Sequence, residues 1–313
     1  MRKFLIGTLA ASLMCGSAHA EKIGVTIALL EHNFLAVMAK GMQTYAKDKG
    51  IELQMVDANN DVAKQLDQVN NFIASGVDAI IVNAVDTSAT QAMTDAAAKA
   101  KIPLVYVNRQ PINVDTLPDG QAFVASNEVD SGTLEAKEMC RLLKAAGKDK
   151  GATAVVMVGE LSNQAAVQRT KDVHDVIAAP ECSFIKIVEE QTANWNRAQG
   201  QDLMTNWISK GTKFDAVISN NDEMAIGAIQ ALKAAKIDRK SYIIGGVDAT
   251  QDALIAMQSG DLDVTIFQDA AGQGQGSIDT ALKIKKGEKV DKKVYIPFQL
   301  VTPANIKNFL TKN

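Results

Sequence analysis

The stretch "IPLVYVNRQP", residues 102–111, begins as a buried strand and ends as a polar tip. Leu104, Val105, Tyr106 and Val107 form a β-branched and aromatic run without alternation, the pattern of a strand covered on both faces of a parallel sheet. The run passes directly into Asn108, Arg109 and Gln110 before Pro111 stops it. Ligands of open α/β sheets bind beyond the carboxyl ends of the strands, so an arginine at this tip is a candidate binding group.

The same design recurs along the chain. Short apolar runs, "KIGVTIALL", "IELQMVDA", "AIIVNAV" and "AFVAS", then "TAVVMVGE", "FIKIVEE", "AVISN", "YIIGGVD", "VTIFQ" and "VYIPFQLV", alternate with helical patterns. One such helix starts at Asn60-Asp61, carries Val62, Leu66, Val69 and Ile73 along one face, and stops at Gly76. Strand–helix–strand alternation predicts parallel sheets covered by helices. The strands are too many for one sheet and break near "ASNEVDSG", residues 125–132, with a new series beginning at Thr153. The expected fold is α/β, with two doubly wound parallel-sheet domains. No Gly/Ser-rich or Pro-rich linker separates them, which favours a structured hinge.

The opening "MRKFLIGTLAASLMCGSAHA" has a basic start, an apolar middle and Ala18-His19-Ala20 at its end. It reads as a secretory signal peptide, residues 1–20, cleaved after Ala20. Met14 stands where a lipoprotein signal places a small residue before its cysteine. Removing Arg2 and Lys3 from 33 basic residues, against 36 acidic ones, takes the formal charge from −3 to −5. A mildly acidic exported chain is poorly suited to nucleic acid or to anionic membrane surfaces. No later apolar run is long enough for membrane insertion. Cys140 and Cys182 remain, either as a disulfide or as two buried thiols; the sequence leaves both open.

The strand ends carry groups suited to a hydroxylated ligand. "EHNF" supplies His32 and Phe34, and the opening strand supplies Asn108 and Arg109. "ISNNDE" gives Asn221, "GGVDAT" gives Asp248, and "IFQDA" gives Gln268. Trp195 lies in the polar loop "TANWNRAQG", and Arg169 about a turn into a helix beginning near Asn163. Each has a plainer reading: Asp222 as a helix cap, Trp195 as packing, a lone arginine as surface. Their convergence on one face favours ligand contact, because arginine offers fixed donors, Asp and Gln accept from hydroxyls, and aromatic rings cover C–H faces. Catalytic constellations are absent: His32 and His174 have no nucleophile motif beside them, and no Gly-x-Ser-x-Gly, His-Glu-x-x-His or Walker loop occurs. "GQGQG", residues 272–276, lacks the spacing and downstream acid of a dinucleotide fingerprint. No cofactor and no metal are expected.

The motifs "VNRQP", "NNDEMAIGAIQALK" (220–233) and "GGVDATQDAL" (245–254) together resemble the periplasmic monosaccharide-binding proteins of ABC importers, especially the ribose-binding group, over the whole mature chain. The resemblance implies a type I periplasmic binding fold with three crossings near 126–128, 267–270 and 296–298. It implies lobes of 21–127 plus 269–297 and of 128–268 plus 298–313. It further implies that His32, Phe34, Asn108, Arg109, Arg169, Trp195, Asn221, Asp248 and Gln268 hold the ligand. Three departures mark the ligand out: Asn108 replaces an aspartate of ribose binders, Leu35 a second phenylalanine, and Trp195 a phenylalanine. "VYVNRQP" is closer to the cyclitol-binding branch, so myo-inositol is the first expectation and another monosaccharide the second. The implied role is a monomeric, non-enzymatic periplasmic receptor that delivers a small polyol to a membrane permease. The alternative is a sensor of the same fold for chemotaxis or signalling.

Overall fold

A computed structural model describes residues 20–313; the expected leader lies outside the described residues except for Ala20. Strands β1 (Lys22–Ile27), β2 (Glu52–Asp57), β3 (Ala79–Val82), β4 (Leu104–Val107) and β5 (Gln121–Ala125) alternate with helices α1 (Asn33–Lys49), α2 (Val62–Ser75) and α3 (Gln91–Ala100). They lie in the order β2-β1-β3-β4-β5, all parallel, and β11 (Lys293–Tyr295) joins parallel to β5 at the edge. β3, β4 and β5 are buried along their full length, which explains their unbroken apolar runs.

A second parallel sheet repeats the arrangement. Its strands β6 (Ala152–Val158), β7 (Ile185–Thr192), β8 (Ala216–Ser219) and β9 (Ile243–Gly245) lie in the order β7-β6-β8-β9. Helices α4 (Glu128–Ala145), α5 (Gln164–Ala178), α6 (Arg197–Lys210), α7 (Asp222–Ala234) and α8 (Gln251–Gln258) connect its strands. β10 (Thr265–Phe267) bridges to the end of β9 and pairs antiparallel with β12 (Gln299–Val301). Between β10 and β11, α9 (Ala270–Lys285) packs back against α1 of the first half. The chain therefore runs between the two halves after β5, between β10 and α9, and between β11 and β12.

Three sequence readings are refined here. α2 is capped as expected, with Asp61 Oδ1 accepting the Lys64 N–H and Gly76 in the left-handed region at φ +67°. Its core face, however, runs through Gln65, Val69 and Phe72, while Val62 is exposed. Gln65 takes the central place because its buried amide is fully used: Nε2 donates to the Asn83 carbonyl and Oε1 accepts from the Val85 N–H. The run "VYIPFQLV" is two strands in different sheets, β11 and β12. Pro297 between them lacks an N–H, and the chain changes lobe there. "GQGQG" lies inside α9, where a Cβ on Gly274 would sit 2.6 Å from Met42 Cγ. Gly274 thus serves the close packing of α9 on α1, while Gly272 stands over the Asp269 cap carboxylate and Gly276 against Val124 of β5. Cys140, on α4, and Cys182 form a disulfide. Among the described residues no helix is long and apolar enough to cross a membrane.

Candidate functional site

The carboxyl ends of both sheets face one cavity. All nine residues singled out from the sequence line it, together with Asn33, Leu35, Glu128, Asn163 and Ala165.

From the first lobe, the β1–α1 turn delivers His32 as the N-cap residue of α1, followed by Asn33 and Phe34. The His32 side chain makes no capping bond and is free to face the cavity. Burial pushes its imidazole below its ordinary pKa, with nearby Glu160 opposing and Arg109 reinforcing. Asn108 follows β4 with φ +66°, a conformation that asparagine tolerates better than most residues. Its amide accepts from Asn83 Nδ2 at 3.3 Å and donates to Gln273 Oε1 at 3.1 Å, and Gln273 in turn donates to Ser126 Oγ. The amide is thus a mixed donor and acceptor within the first lobe's own network.

Arg109 is 2 % exposed. Nη1 donates to the carbonyls of Ala84 and Val85 at 3.3 and 3.1 Å, and Nη2 to Glu160 Oε2 at 3.0 Å. Burial lowers its pKa, and the Glu160 carboxylate opposes that shift. The arginine at the strand tip is therefore braced from both lobes.

From the second lobe, Arg169 on α5 is surrounded by acceptors. Nε and Nη2 bond Glu128 at 2.7 and 3.1 Å, Nη1 bonds the Asn220 carbonyl at 2.7 Å, and Nη2 also bonds Gln268 Oε1 at 3.2 Å. Burial works against its charge, but Glu128 foremost outweighs it and raises the pKa. The guanidinium stands 5.6 Å from the Trp195 ring and 5.8 Å from Phe298. Trp195 follows Asn194 in a turn where both have positive φ, an arrangement that needs tertiary support. Gly159 supplies it: a Cβ there would meet the indole carbons at 2.1–2.3 Å. The two readings of Trp195 merge, because the ring packs on Gly159 and also lines the cavity, its Nε1 without a protein partner among the described residues.

Asn221, not Asp222, caps α7, with Oδ1 accepting the Met224 N–H at 3.1 Å. Asp222 is fully buried instead, accepting from Thr265 Oγ1 and the Thr250 N–H, and so pins α7 to the strands that follow. Asp248 stands at φ +124° and is 3 % exposed. Among the described residues no donor bonds its carboxylate; Arg169 Nη1 lies 4.0 Å away. Burial raises its pKa well above the ordinary carboxylate value, with Arg169 opposing. Gln268 Nε2 is likewise buried and unpartnered among the described residues. The residues that line the cavity thus include donors at Gln268 and Trp195 that the protein itself leaves unpartnered, and a carboxylate at Asp248 whose one charged partner is 4.0 Å away, beside two charge-balanced arginines.

The sequence reading missed several members. Asn163 was legible only as a helix start, and its Oδ1 does cap α5. Glu128 opens α4 within the stretch 125–132, where the sequence shows only a break in the strand pattern. Asn313, far along the chain, donates to the carbonyls of Asp248 and Gln268 at 2.8 and 2.7 Å, with no local signal to announce it. Among the described residues no group of three or more His, Cys, Asp or Glu is placed to hold a metal ion.

Comparison with known proteins agrees with this geometry. A family model described as a periplasmic binding protein domain matches residues 23–289. A Rhizobium meliloti protein named for rhizopine binding is 62 % identical over the full length of both chains. A xylitol-binding protein of Mycolicibacterium smegmatis is 34 % identical, covering 93 % of this chain and 79 % of the relative. The crystal structure of an ABC transporter solute binding protein from Bacillus halodurans with bound myo-inositol superposes with a TM-score of 0.87 at 39 % identity, covering 95 % of this chain and all of the other. Two parallel-sheet lobes, a polar cavity between their strand ends and these matches lead to one statement: the chain belongs to the periplasmic binding protein family, in its sugar-binding branch with the type I fold.

Proposed function

We propose that this protein captures one small cyclic polyol, myo-inositol or a close derivative, in the interlobe cavity and delivers it to the permease of an ABC importer. The observation that carries the reading is the pair of unpartnered donors, Gln268 Nε2 and Trp195 Nε1, on residues that line the cavity beside Asp248, Arg109, Arg169 and the ring of Phe34. Such a set suits a ring with hydroxyls in its plane and C–H faces above and below. Buried groups without partners cost about 1–3 kcal/mol each, which a hydroxylated ligand would recover. The myo-inositol bound by the Bacillus halodurans protein supports a cyclitol over an aldose.

In this reading the lobes comprise residues 21–127 plus 269–297 and 128–268 plus 298–313, and the three passages act as the hinge. The nine cavity residues, His32, Phe34, Asn108, Arg109, Arg169, Trp195, Asn221, Asp248 and Gln268, contact the ligand. The leader is removed after Ala20, and the mature protein works in the periplasm as a monomeric receptor without catalysis. Closure follows because the ligand bridges both lobes and stabilises the shut state over the open one.

The test is a thermal-shift panel on protein unfolded and refolded to strip carried-over ligand. It compares myo-inositol, other inositols, rhizopine, xylitol, ribose, galactose and glucose. A ligand at about 1,000 times its Kd adds roughly 4 kcal/mol, a rise of several degrees in Tm. A rise confined to the cyclitols is expected. A rise with an aldose alone would replace the ligand, and no rise with any compound would sink the reading.

A further inference from the structure

The loop between β6 and α5 carries a carboxylate that the cavity does not use. Glu160 is 8 % exposed and does not line the cavity, yet three separate turns of the first lobe converge on it. Arg109 Nη2 donates to Oε2 at 3.0 Å and Asn60 Nδ2 donates to Oε1 at 3.2 Å, while His32 Nε2 stands 3.9 Å from Oε1. The next residues grip the first lobe as well. The Thr87 N–H and hydroxyl both donate to the Ser162 carbonyl at 3.0 Å, and the Gln164 N–H donates to Thr87 Oγ1 at 3.1 Å.

Every one of these bonds runs from one lobe to the other, so each exists only while the lobes are together. Arg109 would keep its two carbonyl partners in an opened molecule but would lose its counter-charge to water. We propose that Glu160 is a closure and positioning residue. It fixes the Arg109 guanidinium in the orientation presented to the ligand, and it favours the shut state whether or not ligand is bound. The ligand-dependent part rests on the polyol-capture reading above; the ligand-independent part does not.

Release of a trapped ligand requires the interlobe bonds to break, whereas capture starts from the open form, where they are absent. The contribution of Glu160 therefore belongs to the dissociation rate.

The experiment is stopped-flow tryptophan fluorescence with myo-inositol on the wild type, Glu160→Gln and Asn60→Ala, joined to small-angle scattering of each ligand-free protein. Glu160→Gln is expected to speed dissociation on the order of 30-fold, the lower range for a severed buried charge pair, with association unchanged or faster as the open fraction grows. Asn60→Ala, which also lies outside the cavity, is expected to speed dissociation a few-fold. Glu160→Gln should further shift ligand-free scattering toward a more open molecule. A lowered Tm with unchanged dissociation and unchanged scattering would make Glu160 merely structural and overturn the proposal. Failure of the wild type to bind myo-inositol would fall on the ligand reading. Scattering would then decide Glu160 alone, a more open variant supporting it and an identical profile overturning it.

Discussion

Arg169 and Glu128 form a two-point ion pair, Nε to Oε2 at 2.7 Å and Nη2 to Oε1 at 3.1 Å, and Glu128 is the first residue of α4 after the chain leaves the first sheet. The same guanidinium bonds Gln268, on the second passage between lobes, and stands 5.8 Å from the Phe298 ring, on the third. One cavity arginine thus meets the start of α4, the residue after β10 and the residue before β12. In the proposed reading, a ligand that contacts Arg169 addresses the cavity and the hinge together.

Glu128→Gln should therefore harm both stability and binding. Removing one member of a buried pair strands the other charge, at about 3–5 kcal/mol. The variant is expected to melt lower in calorimetry and to bind myo-inositol at least tenfold more weakly. An unchanged Tm would show that Arg169 is held by Asn220 and Gln268 without its counter-charge.

Asp248→Asn separates folding from binding in the opposite sense. The carboxylate has no hydrogen-bond donor among the described residues, and burial holds its pKa high, so its charge costs the ligand-free protein. The amide should leave the empty protein as stable or more stable. It should also lose a charge-assisted bond to the ligand, worth about 1.5–3 kcal/mol, or roughly 10- to 150-fold in Kd. Titration calorimetry and thermal melts on the same sample check both signs; a destabilised but tight-binding variant would reverse the assignment.

Gly159→Ala tests the floor under Trp195. The added methyl would overlap the indole carbons, so the ring must leave its place over β6. Trp fluorescence should shift in the ligand-free protein, and affinity should fall about tenfold or more as the second lobe's aromatic wall moves. Unaltered fluorescence and affinity would mean that the ring adjusts without cost.

Glu135 predicts how stability depends on pH. Its carboxyl is buried in α4, with Oε1 accepting only the Ser219 N–H and Oε2 unpartnered among the described residues, and burial pushes its pKa up to about 8. Folded protein then holds a proton that unfolded chain releases near its ordinary value of about 4.3. Stability from this group is full below that value and declines as pH rises toward 8, by up to about 1.4 kcal/mol per pH unit. Glu135→Gln should flatten the fall in Tm between pH 5 and 8. An equally steep fall in the variant would move the cause to other buried carboxyls, Asp222 and Asp248 among them.

Much of this was legible from local pattern. "PLVYVN" identified a strand buried on both faces, and Asp61 and Gly76 marked both ends of α2, because hydrophobic period and capping chemistry act over a few residues. Most of the nine cavity residues were legible because strand ends in parallel sheets face a common edge; Arg169 lies instead within α5. Misreadings arose where distant segments compete for a group. Asn221 took the cap expected of Asp222, since Thr250 and Thr265 claim the aspartate. "VYIPFQLV" divided at Pro297 because its halves pair with strands some 170 and 35 residues earlier, in different lobes.

The sequence by itself determined the alternation of strand and helix, the polar tips of the strands and the acidic balance of the chain, which are set by residue types and their order along the backbone. The tertiary structure alone decided that Cys140 meets Cys182, that Glu128 and Glu160 hold the two cavity arginines, and that Asn313 braces Asp248 and Gln268. Those outcomes depend on groups brought together from far apart in the chain. Their energies come from burial and charge pairing, which no local window of residues contains.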